Sequence, residues 1–142
     1  MLLRICGAVL SALVCTAAVM PDAMAQRRDR EDLDRRWVEL GCRQVSFNRD
    51  RDTIRVGRSE GRFRAIRLTA RGEDVEVMRL AVVYANGNPD ELDVQRVIRR
   101  GDRTEPLDLK GRDRAIERID MVYRQRGDDR GRATVCAEGL VS

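Results

Sequence analysis

The sequence predicts an all-β fold, a single antiparallel β-sandwich or partly open barrel of about eight short strands. Three observations carry that expectation. Apolar residues alternate in runs of strand length, turn residues (Gly, Asn, Asp, Pro) punctuate the chain at the spacing of a sandwich, and no stretch sustains a helical period. Gly or Asn-Gly interrupts the chain too often for a helical bundle.

The first residues read as an export signal. Met1 to Arg4 make a short positive start, Ile5 to Val19 are apolar, Pro21 breaks the run, and Ala23-Met24-Ala25 fits the small-x-small cleavage rule. The apolar run is shorter than the ~20 residues of a spanning helix. Cys15 would suit a lipoprotein, but Val14 precedes it where a small residue is required. The expected organisation is a cleaved signal peptide over 1–25, a charged flexible arm over 26–36 and a β-sandwich domain over 37–142, periplasmic or secreted, with no membrane span after cleavage. In the arm, QRRDREDLDRR, only Leu33 offers an apolar anchor.

The strands follow in order. Cys42 to Phe47 places Val45 and Phe47 on one face, Asn48 to Asp52 is a polar turn, and Thr53 to Val56 is a second short strand. The central stretch is RFRAIRLTARGEDVEVMRLAVVYA, Arg62 to Ala85. It reads as a hairpin folded at Arg71-Gly72, with Leu68 opposite Val75, Ile66 opposite Val77, and Arg67 opposite Glu76 on the other face. Farther from the turn the parity slips at Phe63 and Leu80, which calls for a bulge or for burial of both faces. Asn86-Gly-Asn-Pro-Asp90 is the strongest turn signal, since Asn and Gly tolerate positive φ and Pro fixes its own. A strand with Leu92, Val94 and Ile98 follows, then a turn at Arg100-Gly101-Asp102 and a brief edge strand from Pro106 to Leu109. Ala115 to Tyr123 is next, with one helical turn over 112–118 as its competitor, and Ala133 to Ala137 closes the domain.

Once the leader is gone two cysteines remain, Cys42 and Cys136. In an oxidising compartment they predict one disulfide joining the first strand to the last. Two sulfurs without a histidine leave zinc short of ligands, so no metal and no cofactor is expected.

The absence of histidine excludes Ser-His-Asp and Cys-His nucleophilic sites, and no Gly-rich phosphate loop is present. Paired carboxylates of the kind used in glycoside hydrolysis are the remaining catalytic possibility. Asp74, Glu76, Asp108, Glu117 and Asp120 are candidates, but each has arginine close by in sequence and reads better as an ion-paired surface acid. Asn48-x-Asp50-x-Asp52 resembles the opening of a calcium loop. Thr53 stands where the sharp-turn Gly belongs, and Ser59 where the bidentate Glu belongs. A turn held by Asx side chains is the simpler reading. The two Arg-Gly-Asp tripeptides, at 100–102 and 126–128, are turn chemistry in an arginine-rich chain.

The segments FRAIRLTARGEDVEVMRLAVVYANG, PLDLKGRDRAIERIDMVYR and RATVCAEG together resemble a small exported bacterial β-sandwich domain of unknown function, of Gram-negative type. The resemblance implies the sandwich fold and export, and it supplies no catalytic residues.

The formal net charge is +4, and Lys110 is the only lysine, so the positive charge is almost all guanidinium. Arginine pairs bidentately with carboxylate and phosphate. The expected function is therefore that of a non-enzymatic interaction module for an acidic protein or an anionic envelope polymer. The export signal argues against nucleic acid. A carbohydrate-active enzyme with paired carboxylates, and a purely structural envelope component, are the alternatives. Arg99, Arg100 and Arg103, around one Gly turn with only Asp102 to neutralise them, are the expected binding residues. Arg124, Arg126 and Arg130 flank a later loop that Asp128 and Asp129 weaken, and the two loops are expected at the same end of the sandwich.

Overall fold

A computed structural model of the chain describes residues 26–28, 36–46, 48–94, 96–127 and 131–142. The expected leader, most of the charged arm, Phe47, and Asp128, Asp129 and Arg130 lie outside the described residues. Among the described residues nine strands form: β1 (Trp37–Val45), β2 (Asp50–Arg55), β3 (Phe63–Arg71), β4 (Asp74–Tyr84), β5 (Pro89–Leu92), β6 (Arg96–Ile98), β7 (Leu107–Asp108), β8 (Ile116–Arg126) and β9 (Ala133–Val141). They build two antiparallel sheets, β1-β9-β3-β7 and β2-β8-β4-β5, with β6 also paired to β4. The β-sandwich is the architecture, and the barrel does not close. Residues 112–118 hold no helical turn.

The expected central hairpin is not formed. β3 pairs with β9 and β7 in the first sheet, whereas β4 pairs with β8, β5 and β6 in the second. The chain crosses between layers at Arg71-Gly72. Gly72 has φ 85°, and a Cβ there would lie 2.2 Å from the Arg132 carbonyl oxygen. Only glycine lets the chain turn over so tightly against the start of β9. Ile66, Leu68, Val75 and Val77 are all buried, but they face one another across the core and not along a ladder. Alternation tells which face of a strand is apolar; it does not tell which strand lies beside it. Arg67 consequently pairs with Glu138 of β9, and Glu76 takes Arg124 and Arg126 of β8.

The parity slip is resolved by bulges. The ladder of β4 with β8 shifts between Val77 and Arg79, and that of β3 with β9 between Phe63 and Ala65. Each extra residue restores phase, so Phe63 and Leu80 both reach the core.

Cys42 and Cys136 sit opposite each other in the β1–β9 ladder and form the disulfide, with Cα atoms 4.0 Å apart and a sequence separation of 94. The edge of β3 beyond β7 is closed by the 101–104 segment. Thr104 N donates to the Leu68 carbonyl (2.8 Å), Gly101 N to that of Ala70 (2.8 Å), and Leu68 N to the Thr104 hydroxyl (3.0 Å). That satisfies strand groups which would otherwise be open to another chain.

Candidate anion-binding face

β2, β8 and β4 lie side by side, and their registers place three rows of side chains on the outer face of the second sheet. Arg51, Val122 and Arg79 form the first row, Thr53, Asp120 and Ala81 the second, and Arg55, Arg118 and Val83 the third. Val56 N donates to the Glu117 carbonyl (2.9 Å), which makes that pair a hydrogen-bonded one. By alternation, Arg55 opposite Arg118 is then a non-hydrogen-bonded pair, the kind in which side chains are closest. Two like charges directly opposite each other destabilise a ladder. Arg118 turns to Asp120, whose other oxygen accepts the Thr53 hydroxyl at 2.7 Å. Arg55 receives no such relief.

Thr53, Ala81 and Val122, with Met121 and the Asp120 carboxylate, line a cavity of about 250 Å³ between Arg51 and Arg79. Strand spacing puts the Cα atoms of these two arginines ~10 Å apart across Val122. Arg79 forks onto the Glu91 carboxylate of β5 at 3.1 and 3.2 Å. Arg51, its counterpart on the other side of β8, has no side-chain hydrogen bond or ion pair among the described residues, and neither has Arg55. Toward the end of the sheet the same face carries Arg124 and Arg126, both on Glu76. The Arg124 hydrogen bond holds the Glu76 carboxyl below its ordinary value.

The sequence-expected binding residues lie at the adjoining end. Arg99, Arg100 and Arg103 are exposed on the turn that leaves β6, and Arg103 is engaged with other groups. Arg100 N donates to Asp74 at 2.8 Å, and Asp74 stands opposite Arg126 in the β4–β8 ladder. The turn after β6 and the end of β8 therefore share one end of the sandwich. The charges of Arg124 and Arg126 are spent on Glu76.

The other expected sites resolve as follows. Asp50 and Asp52 belong to β2, so they do not belong to a loop curling around an ion. Asp50 accepts from the Ser46 hydroxyl (3.1 Å) and the Arg51 amide (3.1 Å), and Asp52 accepts from the Tyr123 hydroxyl. Asn48, just before the strand, offers its carbonyl to Ser46 at 3.5 Å. The catalytic candidates are likewise engaged: Asp74 with Arg100 N, Glu76 and Asp108 with arginines, Asp120 with Thr53 and Arg118. Glu117 gives its main-chain carbonyl to Val56 and Gly57. Trp37 begins β1, and the Arg67 guanidinium lies 4.3 Å from its ring centroid.

A buried polar cluster fastens the Asn86–Asp90 turn. The Tyr84 hydroxyl donates to Asp90 and accepts from Lys110 N (3.2 Å), while Lys110 Nζ pairs with Asp90 at 3.2 Å. Burial, and then the bond to Asp90, push the Tyr84 phenol up to about 12. Burial works to raise the Asp90 carboxyl, yet Tyr84 and Lys110 hold it below its ordinary value. The only lysine is thus used in structure.

Sequence reasoning passed over Arg51, Arg55 and Arg79. The signal for the first two was the alternation in Arg51-Asp-Thr-Ile-Arg55, which sets Arg51, Thr53 and Arg55 on one face. What it could not show was that β8, some 65 residues later, would bring Arg118 beside them.

Fold and face together define a small, disulfide-tied antiparallel β-sandwich with an arginine-rich sheet surface. The chain belongs to the family described as domain of unknown function (DUF2541), whose model matches residues 9–139. No curated protein and no solved structure matches it.

Proposed function

We propose that the protein is an exported, non-enzymatic binding module that holds an anionic partner, an acidic protein or an anionic envelope polymer, through the arginine face of its second sheet. The single observation carrying this reading is the arrangement of Arg51, Arg55, Arg79 and Arg118 on one sheet face, with Arg51 and Arg55 lacking carboxylate partners among the described residues. The opposed Arg55 and Arg118 cost the free domain stability, and a bound anion removes that cost. The Arg99-Arg100-Gly-Asp-Arg103 turn extends the basic surface at one end. The disulfide suits an oxidising compartment, and among the described residues no helix is long and apolar enough to cross a membrane.

The test is capture of labelled polyglutamate and of polygalacturonate by the mature protein across a salt series. Binding that weakens with salt, and weakens further in Arg51→Gln/Arg55→Gln, is the expected result. Failure to bind either polyanion at low salt ends this reading. Replacing Arg99, Arg100 and Arg103 with glutamine measures the contribution of the turn.

A further inference from the structure

We infer that the occupant of this face is an extended acidic segment of a partner protein, lying along β2 with carboxylates at positions i and i+4. The inference rests on the anion-binding reading above and narrows it to one ligand chemistry.

Three observations select a peptide carboxylate. Arg79 already receives a carboxylate in a two-pronged bond from Glu91, so the face displays this recognition within its own chain. Arg51 occupies the matching place on the other side of Val122 and lacks the acid. No aromatic residue among the described residues lies on this face, because Phe63, Tyr84 and Tyr123 are buried and Trp37 belongs to the other sheet. Sugar rings would have nothing to stack on, whereas an extended peptide needs only hydrogen-bonding groups and charge. Thr53 and Asp120, in the row between Arg51 and Arg55, are bonded to each other, and Asp120 also takes Arg118, so the one acid of that row is already neutralised.

The spacing follows from strand geometry. Arg51 and Arg55 are four residues apart on one strand, hence ~13–14 Å apart on one face. An extended partner presents i and i+4 on a single side at the same separation. Residues i and i+3 fall on opposite sides. The occupant is thus read by the phase of its acids as well as by its net charge.

Two seven-residue peptides of identical composition, glutamates in a Gly/Ser/Thr background, separate the possibilities. One has Glu at positions 2 and 6, the other at 2 and 5. Fluorescence anisotropy with the intact mature protein should give the first up to about 5-fold tighter binding, the upper size expected from one lost exposed ion pair. That advantage should vanish in Arg51→Gln/Arg55→Gln and persist in Arg99→Gln/Arg100→Gln, with cooperative thermal unfolding at a Tm no lower than the parent's showing that both variants are folded. Equal binding of the two peptides overturns the phased-peptide inference and leaves general anion binding standing. Capture of polygalacturonate with neither peptide bound overturns the peptide assignment in favour of a polymer. If no anionic probe binds, this inference and the reading beneath it both fail.

Discussion

Arg67 offers the sharpest test of the sheet assignment, because the two possible pairings differ in cost. Opposite Glu76 on an exposed hairpin, its removal would cost ~0–1 kcal/mol. In the sandwich it is 9% exposed, its guanidinium bonds Glu138, and it stacks on Trp37. The Glu138 side chain is 19% exposed and would be left without that donor. A hydrogen bond to a charged partner contributes ~1.5–3 kcal/mol, and a partly buried cation–π contact ~0.5–2 kcal/mol. Arg67→Ala should therefore destabilise the domain by about 2–4 kcal/mol, a fall in Tm of at least about 8 °C for a chain of this size. The assay is chemical denaturation of the oxidised protein, with Glu138→Ala and the double variant completing a cycle. The double variant should lose less than the sum of the single losses, since each single change orphans a partner. Arg62→Ala, at an ion pair whose side chains are 60% and 56% exposed, should leave Tm unchanged. A loss below about 0.5 kcal/mol for Arg67→Ala, or additivity with Glu138→Ala, would refute the β3–β9 pairing.

Three further outcomes follow from the structure. Thiol titration of the folded, oxidised protein should find neither Cys42 nor Cys136 reactive, and replacing both with alanine should cost ~2–4 kcal/mol in denaturant unfolding, because the bridge closes a long loop. Gly72→Ala should cost well over 1 kcal/mol, since its φ is 85° and its Cβ would strike the Arg132 carbonyl, whereas Gly87→Ala, at φ 86° with nothing within 4 Å, should cost only the ~1 kcal/mol of a left-handed residue. The folded pKa of Tyr84 stands above its unfolded value, so its contribution is complete below pH 10 and is lost as pH climbs from there through about 12. Tyr123 is raised in the same direction by burial and by Asp52. Stability should fall above pH 10, and Tyr84→Phe should flatten that fall.

The strand faces were legible in the sequence, and the sheet partners were not. Period-two alternation marked Ile66, Leu68, Val75 and Val77 as interior, and the slip at Phe63 and Leu80 called for either a bulge or burial of both faces, of which the ladders show bulges. Cys42 and Cys136 could be paired because, once the expected leader is set aside, no other cysteine stands in the sequence. The hairpin failed because Arg71-Gly72 looks like a local turn whether it links neighbours in one sheet or crosses between two. The outcome depends on β8 and β9, far along the chain, which supply the ladders that β4 and β3 take. The same non-locality hid the arginine face: Arg51, Arg55, Arg79 and Arg118 come from three strands that join only in the folded sheet. Loop arginines at 99–103 drew notice because their clustering is local.

The measurement that bears most directly on the central claim is a heteronuclear NMR titration of the mature protein with polyglutamate, following backbone amides and arginine Nε–H signals. The arginine-face account predicts shifts concentrated at Arg51, Thr53, Arg55, Arg118, Asp120 and Val122, with Arg62 on its own ion pair unmoved. Shifts spread evenly over all exposed arginines, or confined to the 99–103 turn, would contradict it.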